Sequence, residues 1–265
     1  MRRFGALALI LLLSLLLTAC GGDDEAAPAG DTSGSVVRWP RDPQHIIFRA
    51  EVTGGEDEGL VALNEVPLCT LYGDGRLVWT VSGEGGLDEV RFDFLDDVKI
   101  IDFVNYLVVS MRIYTYEAEY DFQLPQTTTP VYERMILNVN DRQHATDDFA
   151  EWPVDYFEDI VERCQSIAPT PRIFEPQGAW LSVQQVDYQN NRPSVFWEAD
   201  AAGLSLQSIA EIGERRWIEG NLVIILWRTL RDTALDMQFN EGNAYYQIAL
   251  QVPGVTADAP LAPAQ

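Results

Sequence analysis

Cations other than arginine are nearly missing from this 265-residue chain: Lys99 is its single lysine, and His45 and His144 are its two histidines. That scarcity removes most catalytic signatures at once. No Gly-x-Ser-x-Gly, His-Glu-x-x-His or Gly-x-x-x-x-Gly-Lys-Ser/Thr occurs. Gly83-Glu84-Gly85-Gly86 lacks the dinucleotide spacing, and Asp96 rather than serine stands three positions before Lys99. The two histidines have no partners at zinc-ligand spacing. Positive charge is short overall: 18 Lys and Arg face 41 Asp and Glu, for a net charge of −23. Such a surface repels phosphate backbones and anionic headgroups, so nucleic acid is excluded as a partner. The acidity reads as solubility.

Acids are plentiful, and two kinds of acid chemistry follow from that. Glu56-Asp57-Glu58, Asp93-x-x-Asp96-Asp97 and Asp147-Asp148 offer hard oxygens to Ca2+, but none has EF-hand spacing, and each reads better as a solvated loop or helix start. No other cofactor or metal is implied. A carboxylate pair of the glycosidase kind is open to any chain with this many acids, and only geometry identifies a real one.

Only three cysteines are present: Cys20, Cys69 and Cys164. The first closes an N-terminal stretch with its own logic. Arg2 and Arg3 precede an apolar run from Ala6 to Leu17, broken only by Ser14. The run is shorter than the roughly 20 residues of a membrane-spanning helix. Acidic Asp23, Asp24 and Glu25 follow it rather than a basic stop. A basic start, an apolar middle and small residues at the end make a secretory signal. Leu17-Thr18-Ala19-Cys20 resembles the lipobox of bacterial lipoproteins. The resemblance implies cleavage before Cys20 and a diacylglyceryl thioether on its sulfur, with palmitate-type chains at the membrane. Two chains are what stable anchoring needs, at about 0.8 kcal/mol per buried methylene. If Cys20 carries lipid, Cys69 and Cys164 remain as an even pair in an oxidising compartment and are expected to form a disulfide.

The rest divides by composition. Residues 1–19 are the signal, and 20–35, rich in Gly, Ala, Asp, Ser and Thr, form a lipidated flexible tether spanning on the order of 20–25 Å. Residues 36–167 form an α+β lobe and 172–253 a β-rich lobe, separated at Ala168-Pro169-Thr170-Pro171. Residues 254–265 are expected to stay disordered. In the first lobe, Leu68–Tyr72 and Arg76–Val81 flank Gly73-Asp74-Gly75, a hairpin whose turn needs positive φ. Cys69 and Leu71 share one face. Two helices follow. One starts at Asp96-Asp97 with Val98, Ile101, Val104, Leu107 and Val108 at helical spacing; the other starts at Pro153 with Val154, Phe157, Ile160, Val161 and Cys164. Packed on the hairpin face, the second helix brings Cys164 to Cys69. In the second lobe, Ala179–Val186 and Ser194–Glu198 read as strands, and Ser205 caps a helix closed by Gly213. Asn221–Leu230, Leu235–Phe239 and Tyr246–Val252 read as a three-strand meander.

The fold class is therefore α+β: two small lobes with antiparallel sheets, two main helices on the first sheet and a C-terminal three-strand meander. The Leu71-Tyr72-Gly73-Asp74-Gly75 hairpin, led by Pro67, resembles a pattern in uncharacterised bacterial lipoproteins, which implies a secreted, sheet-rich lobe and no particular activity. Trp180, Trp197, Trp217 and Trp227 concentrate in the second lobe, where exposed rings would stack on a sugar or hold a peptide. The expectation is an extracytoplasmic, membrane-anchored, non-catalytic module of the cell envelope that binds a protein, peptide or glycan. A carboxylate-dependent hydrolase and a purely structural envelope protein are the competing classes.

Overall fold

The computed structural model describes residues 37–55, 59–82, 88–118 and 129–264. Cys20, the signal and the tether lie outside them, as do Glu56-Asp57-Glu58 and Gly83-Glu84-Gly85-Gly86. Residues Val37–Gln265 form one compact unit. It is built on two sheets with helices between and around them, the α+β class expected.

The first sheet contains β1 (Ile46–Gly55), β2 (Cys69–Tyr72), β3 (Arg76–Ser82), β4 (Asp88–Phe94), β5 (Thr129–Val139), β6 (Arg142–Asp147) and β7 (Arg172–Ile173), in the order β6-β5-β1-β2-β3-β4-β7. All its pairs are antiparallel. The expected hairpin is β2–β3, with Leu71 opposite Leu77. Its two glycines have different physical reasons. Gly75 has φ +85°, and a Cβ there would lie 2.6 Å from the carbonyl oxygen of Leu95. Gly73 has no such φ, but a Cβ would lie 2.2 Å from the carbonyl oxygen of Pro40. Asp74 accepts from the backbone N–H of Arg76 at 3.1 Å. The Gly-Asp-Gly motif thus serves the tight approach of two neighbouring segments.

One face of this sheet is covered by α1 (Asp97–Asn105) and α2 (Tyr156–Ser166), the two expected helices. Asp96 caps α1 by accepting from the N–H of Lys99. The buried stripe of α1 is shifted from the expected one, whereas that of α2 holds at Phe157, Ile160 and Cys164. α1 buries Ile100, Phe103 and Val104 while Val98 is exposed; α2 buries Tyr156, Phe157, Ile160 and Cys164 while Val154 is exposed. Val154 precedes the helix because Asp155 sits at φ +62° and breaks the run. Cys69 and Cys164 are fully buried in this core, at disulfide distance with Cα atoms 6.4 Å apart.

The second sheet contains β8 (Gly178–Val186), β9 (Ser194–Phe196), β10 (Arg216–Glu219), β11 (Gln238–Glu241) and β12 (Ala244–Gln251), in the order β10-β8-β12-β11-β9. Its pairs are antiparallel except β9 on β11. After α3 (Ala199–Ala202), Ser205 caps α4 (Leu206–Ile212) and Gly213 ends it at φ +71°, as read. One element differs. Residues Asn221–Asp232 form a helix, α5, so the C-terminal meander has two strands, β11 and β12. Val223, Leu226, Trp227 and Leu230 are its buried apolar residues, spaced i, i+3, i+4, i+7. That stripe outweighs the strand preference of Val223, Ile224 and Ile225.

Strand pairing and packing both cross the expected boundary at Ala168–Pro171. Arg172–Ile173 pairs with β4, and Tyr72, Val78 and Val90 of the first sheet join the core of the second. Asp93 holds the crossing: it accepts from the N–H of Thr170 at 2.7 Å and from its hydroxyl at 3.2 Å. Asn64, fully buried, pairs with the backbone of β12 as a missing strand would. Its amide donates to Ile248 O at 2.9 Å, and its oxygen accepts from Leu250 N at 2.7 Å. Arg231 donates to the carbonyl of Asn64. The segment after Val252, expected to be loose, also packs. Val255 and Thr256 are buried, and Ala257 N donates to Glu65 O at 3.0 Å.

Candidate functional site

The four tryptophans of the second half have two different fates. Trp197 is 9% exposed, donates its indole N–H to Leu204 O at 2.9 Å and meets Phe239 edge-on. Trp227 is 4% exposed, between Phe174 and the guanidinium of Arg231. Both fill the core, which corrects their reading as binding rings. Trp180 and Trp217 are different. Strand alternation puts Ala179, Leu181 and Ile218 in the core, so Trp180 and Trp217 face outward, each half-buried. They stand directly opposite each other on β8 and β10. Their rings meet edge-on, with centroids 5.4 Å apart.

The surroundings fix both rings. The Trp217 ring lies over Gly178, where a Cβ would come within 2.4 Å of it. Its indole N–H donates to Glu219 at 2.6 Å. The guanidinium of Arg215 lies 5.3 Å from the Trp180 ring centre. Beside the pair, Trp180, Ser182, Glu214 and Arg215 line a shallow concavity of about 450 Å³. Sequence reasoning singled out the two rings but not Gly178, Ser182, Glu214 or Arg215. β10 is only four residues long, and nothing in its composition announces its partner. Farther along the same sheet Tyr188 and Tyr245 form a second pair, centroids 4.8 Å apart, with Tyr188 exposed.

The acids and histidines are placed as follows. Glu214 is the one carboxylate among the described lining of the concavity, whereas a glycosidase site uses two. Burial pushes the carboxyls of Glu51 and Glu133 up, both in the first sheet. Glu51 opposes Arg134 and Glu133 opposes Val52, so the two acids point to opposite faces and do not form a pair. Glu51 lies 3.8 Å from both Arg49 and Arg134. Asp97 is held below the ordinary carboxylate range by hydrogen bonding to Arg41. Asp93 and Asp96, read as a loop or helix start in preference to calcium oxygens, bind Thr170 and the N-terminus of α1. His45 and His144 each hydrogen-bond a backbone carbonyl, of Asn138 and Ile113. Among the described residues no three His, Cys, Asp or Glu side chains converge as a metal-holding group. Burial lowers Arg231 to about 10, so its guanidinium is charged at neutral pH.

Compared with models of protein families, with curated proteins and with solved structures, the chain matches none of them. Function therefore rests on the sequence signals and on the outward tryptophan pair. Among the described residues no helix is long and apolar enough to cross a membrane.

Proposed function

We propose that this chain is a lipid-anchored, extracytoplasmic binding module, held at the cell envelope by Cys20 and engaging its partner through Trp180 and Trp217. The observation that carries the binding half is the ring pair itself. Two large aromatics stand outward on adjacent strands, one seated on a glycine and tied to Glu219, the other flanked by Arg215. A rigid aromatic shelf gives contact area at little entropic cost, which suits binding. The anchor rests on Leu17-Thr18-Ala19-Cys20 and the apolar run before it.

Cell envelopes isolated from a strain lacking the protein provide the test. Chain begun at Gly21 is mixed with them and sedimented. Wild-type chain is expected in the pellet, and Trp180→Ala/Trp217→Ala in the supernatant. Equal sedimentation of the two overturns the assignment of the binding face.

A further inference from the structure

The tryptophan shelf already has something against it. The indole N–H of Trp180 donates at 2.8 Å to the carbonyl oxygen of Leu261, in the C-terminal segment of the same chain. That segment reads Ala259-Pro260-Leu261-Ala262-Pro263-Ala264. Its two prolines are three positions apart. A polyproline II helix has three residues per turn, so prolines at that spacing share one edge, about 9 Å apart. The carbonyls of such a helix are free of internal hydrogen bonds and stay available as acceptors. An aromatic-lined groove with an indole donor is suited to both features: rings pack on proline, and the N–H takes a carbonyl.

We propose that the Trp180–Trp217 shelf is a site for extended P-x-x-P peptide segments of a partner protein, and that the chain's own C-terminal segment, held there through the Leu261 carbonyl, covers it until such a segment replaces it. This rests on the binding reading above and names its ligand class. The exposure of the tail and the surface beside Trp180 favour exchange. Leu261, the residue whose carbonyl is held, is 58% exposed, so its side chain is not locked in. Residues 261–264 are all exposed. The concavity at Ser182, Glu214 and Arg215 continues from Trp180 and gives a longer ligand further surface. The occupant is tethered close by, since Val255 and Thr256 are fixed in the core and Ala257 is bound to Glu65. A tether that short keeps the tail at an effective concentration on the order of mM, so it lowers the apparent affinity for a peptide in trans without abolishing it.

The test uses the full lipidated chain in mild detergent and a fluorescein-labelled peptide, Ala-Pro-Leu-Ala-Pro-Ala, read by polarisation. Near-UV circular dichroism confirms that each variant keeps its tertiary structure. Pro260→Ala/Pro263→Ala, which weakens the tail's hold, is expected to bind the peptide about tenfold more tightly than wild type. Adding Trp180→Phe to that double variant removes the N–H donor but keeps a ring, and is expected to weaken binding at least about tenfold. A peptide with both prolines replaced by alanine is expected not to bind. Equal affinity of wild type and the Pro260→Ala/Pro263→Ala chain, or indifference to Trp180→Phe, overturns the proposal. A wild-type dimer that the Pro260→Ala/Pro263→Ala chain fails to form assigns the site to the tail of a second copy and also overturns it. A labelled hexasaccharide is run in parallel. Binding of the sugar through Trp180 and Trp217 without binding of the peptide refutes the peptide class and leaves the shelf a binding site. Silence to both probes, together with failure of the envelope test, removes both readings.

Discussion

Replacing Cys69 and Cys164 together by alanine tests the first core directly. The pair joins β2 to α2 across 95 residues of sequence. In the chain-entropy description, a crosslink closing a loop of that length contributes about 4.5 kcal/mol by restricting the unfolded chain. Both residues are fully buried between the sheet and the helix layer, so the lost sulfurs add a packing penalty of the same sign. For a unit of this size 1 kcal/mol corresponds to roughly 2–4 °C, which puts the fall in Tm at about 10–18 °C. Thermal melts followed by near-UV circular dichroism read the shift. Intact mass after alkylation in denaturant without reductant reads the bond itself. Two added alkyl groups without reductant, or a variant melting within about 3 °C of the parent, refutes the reasoning.

Asn64→Ala removes the side chain that satisfies Ile248 O and Leu250 N and leaves both buried groups without it. A cost of about 2–4 kcal/mol is expected from urea unfolding, and a cost under about 1 kcal/mol contradicts the role of Asn64 in place of a strand beside β12. Glu51 gives a pH dependence with a definite sign. Burial raises its folded value above the ordinary carboxylate, so the folded chain takes up this proton at a higher pH than the unfolded chain does. Its contribution to stability therefore grows as pH falls from neutral through that raised value. Glu51→Gln is expected to reduce the gain in urea midpoint between pH 7.5 and the ordinary carboxylate range; an unchanged gain contradicts the assignment. Asp97, held low by Arg41, acts in the opposite direction and below this window.

Local chemistry made much of the first sheet legible. Asp74-Gly75 marks a turn wherever it stands, and the alternation around Cys69 and Leu71 gives the face that packs on the helices, though not that the opposite face, with Thr70 and Tyr72, is buried as well. The stripe of α2 was similarly readable, and Cys164 fell on it. β1 was not picked out because its longest pairing is with β5, distant in sequence; β4 pairs with the neighbouring β3, but its alternation is confined to Val90-Arg91-Phe92, too short to stand out. Asn221–Asp232 misled for a physical reason. Its β-branched residues favour a strand, while its buried period is that of a helix, and the second core decides between them. The packed tail was illegible because Val255 and Thr256 are buried by contacts that composition does not encode. The site was half legible: four tryptophans were visible, but which two face outward depends on the phase of β8 and on a four-residue β10.

We propose that this acidic body is held at a membrane by lipid on Cys20. Intact-mass measurement of the protein extracted from native membranes tests it most directly. Anchoring through Cys20 gives a chain beginning at Cys20, heavier than its amino acids by a diacylglyceryl group, and a Cys20→Ser protein lacking that mass and recovered in the soluble fraction. A native chain without acyl mass, or a Cys20→Ser protein that still sediments with the membranes, contradicts it.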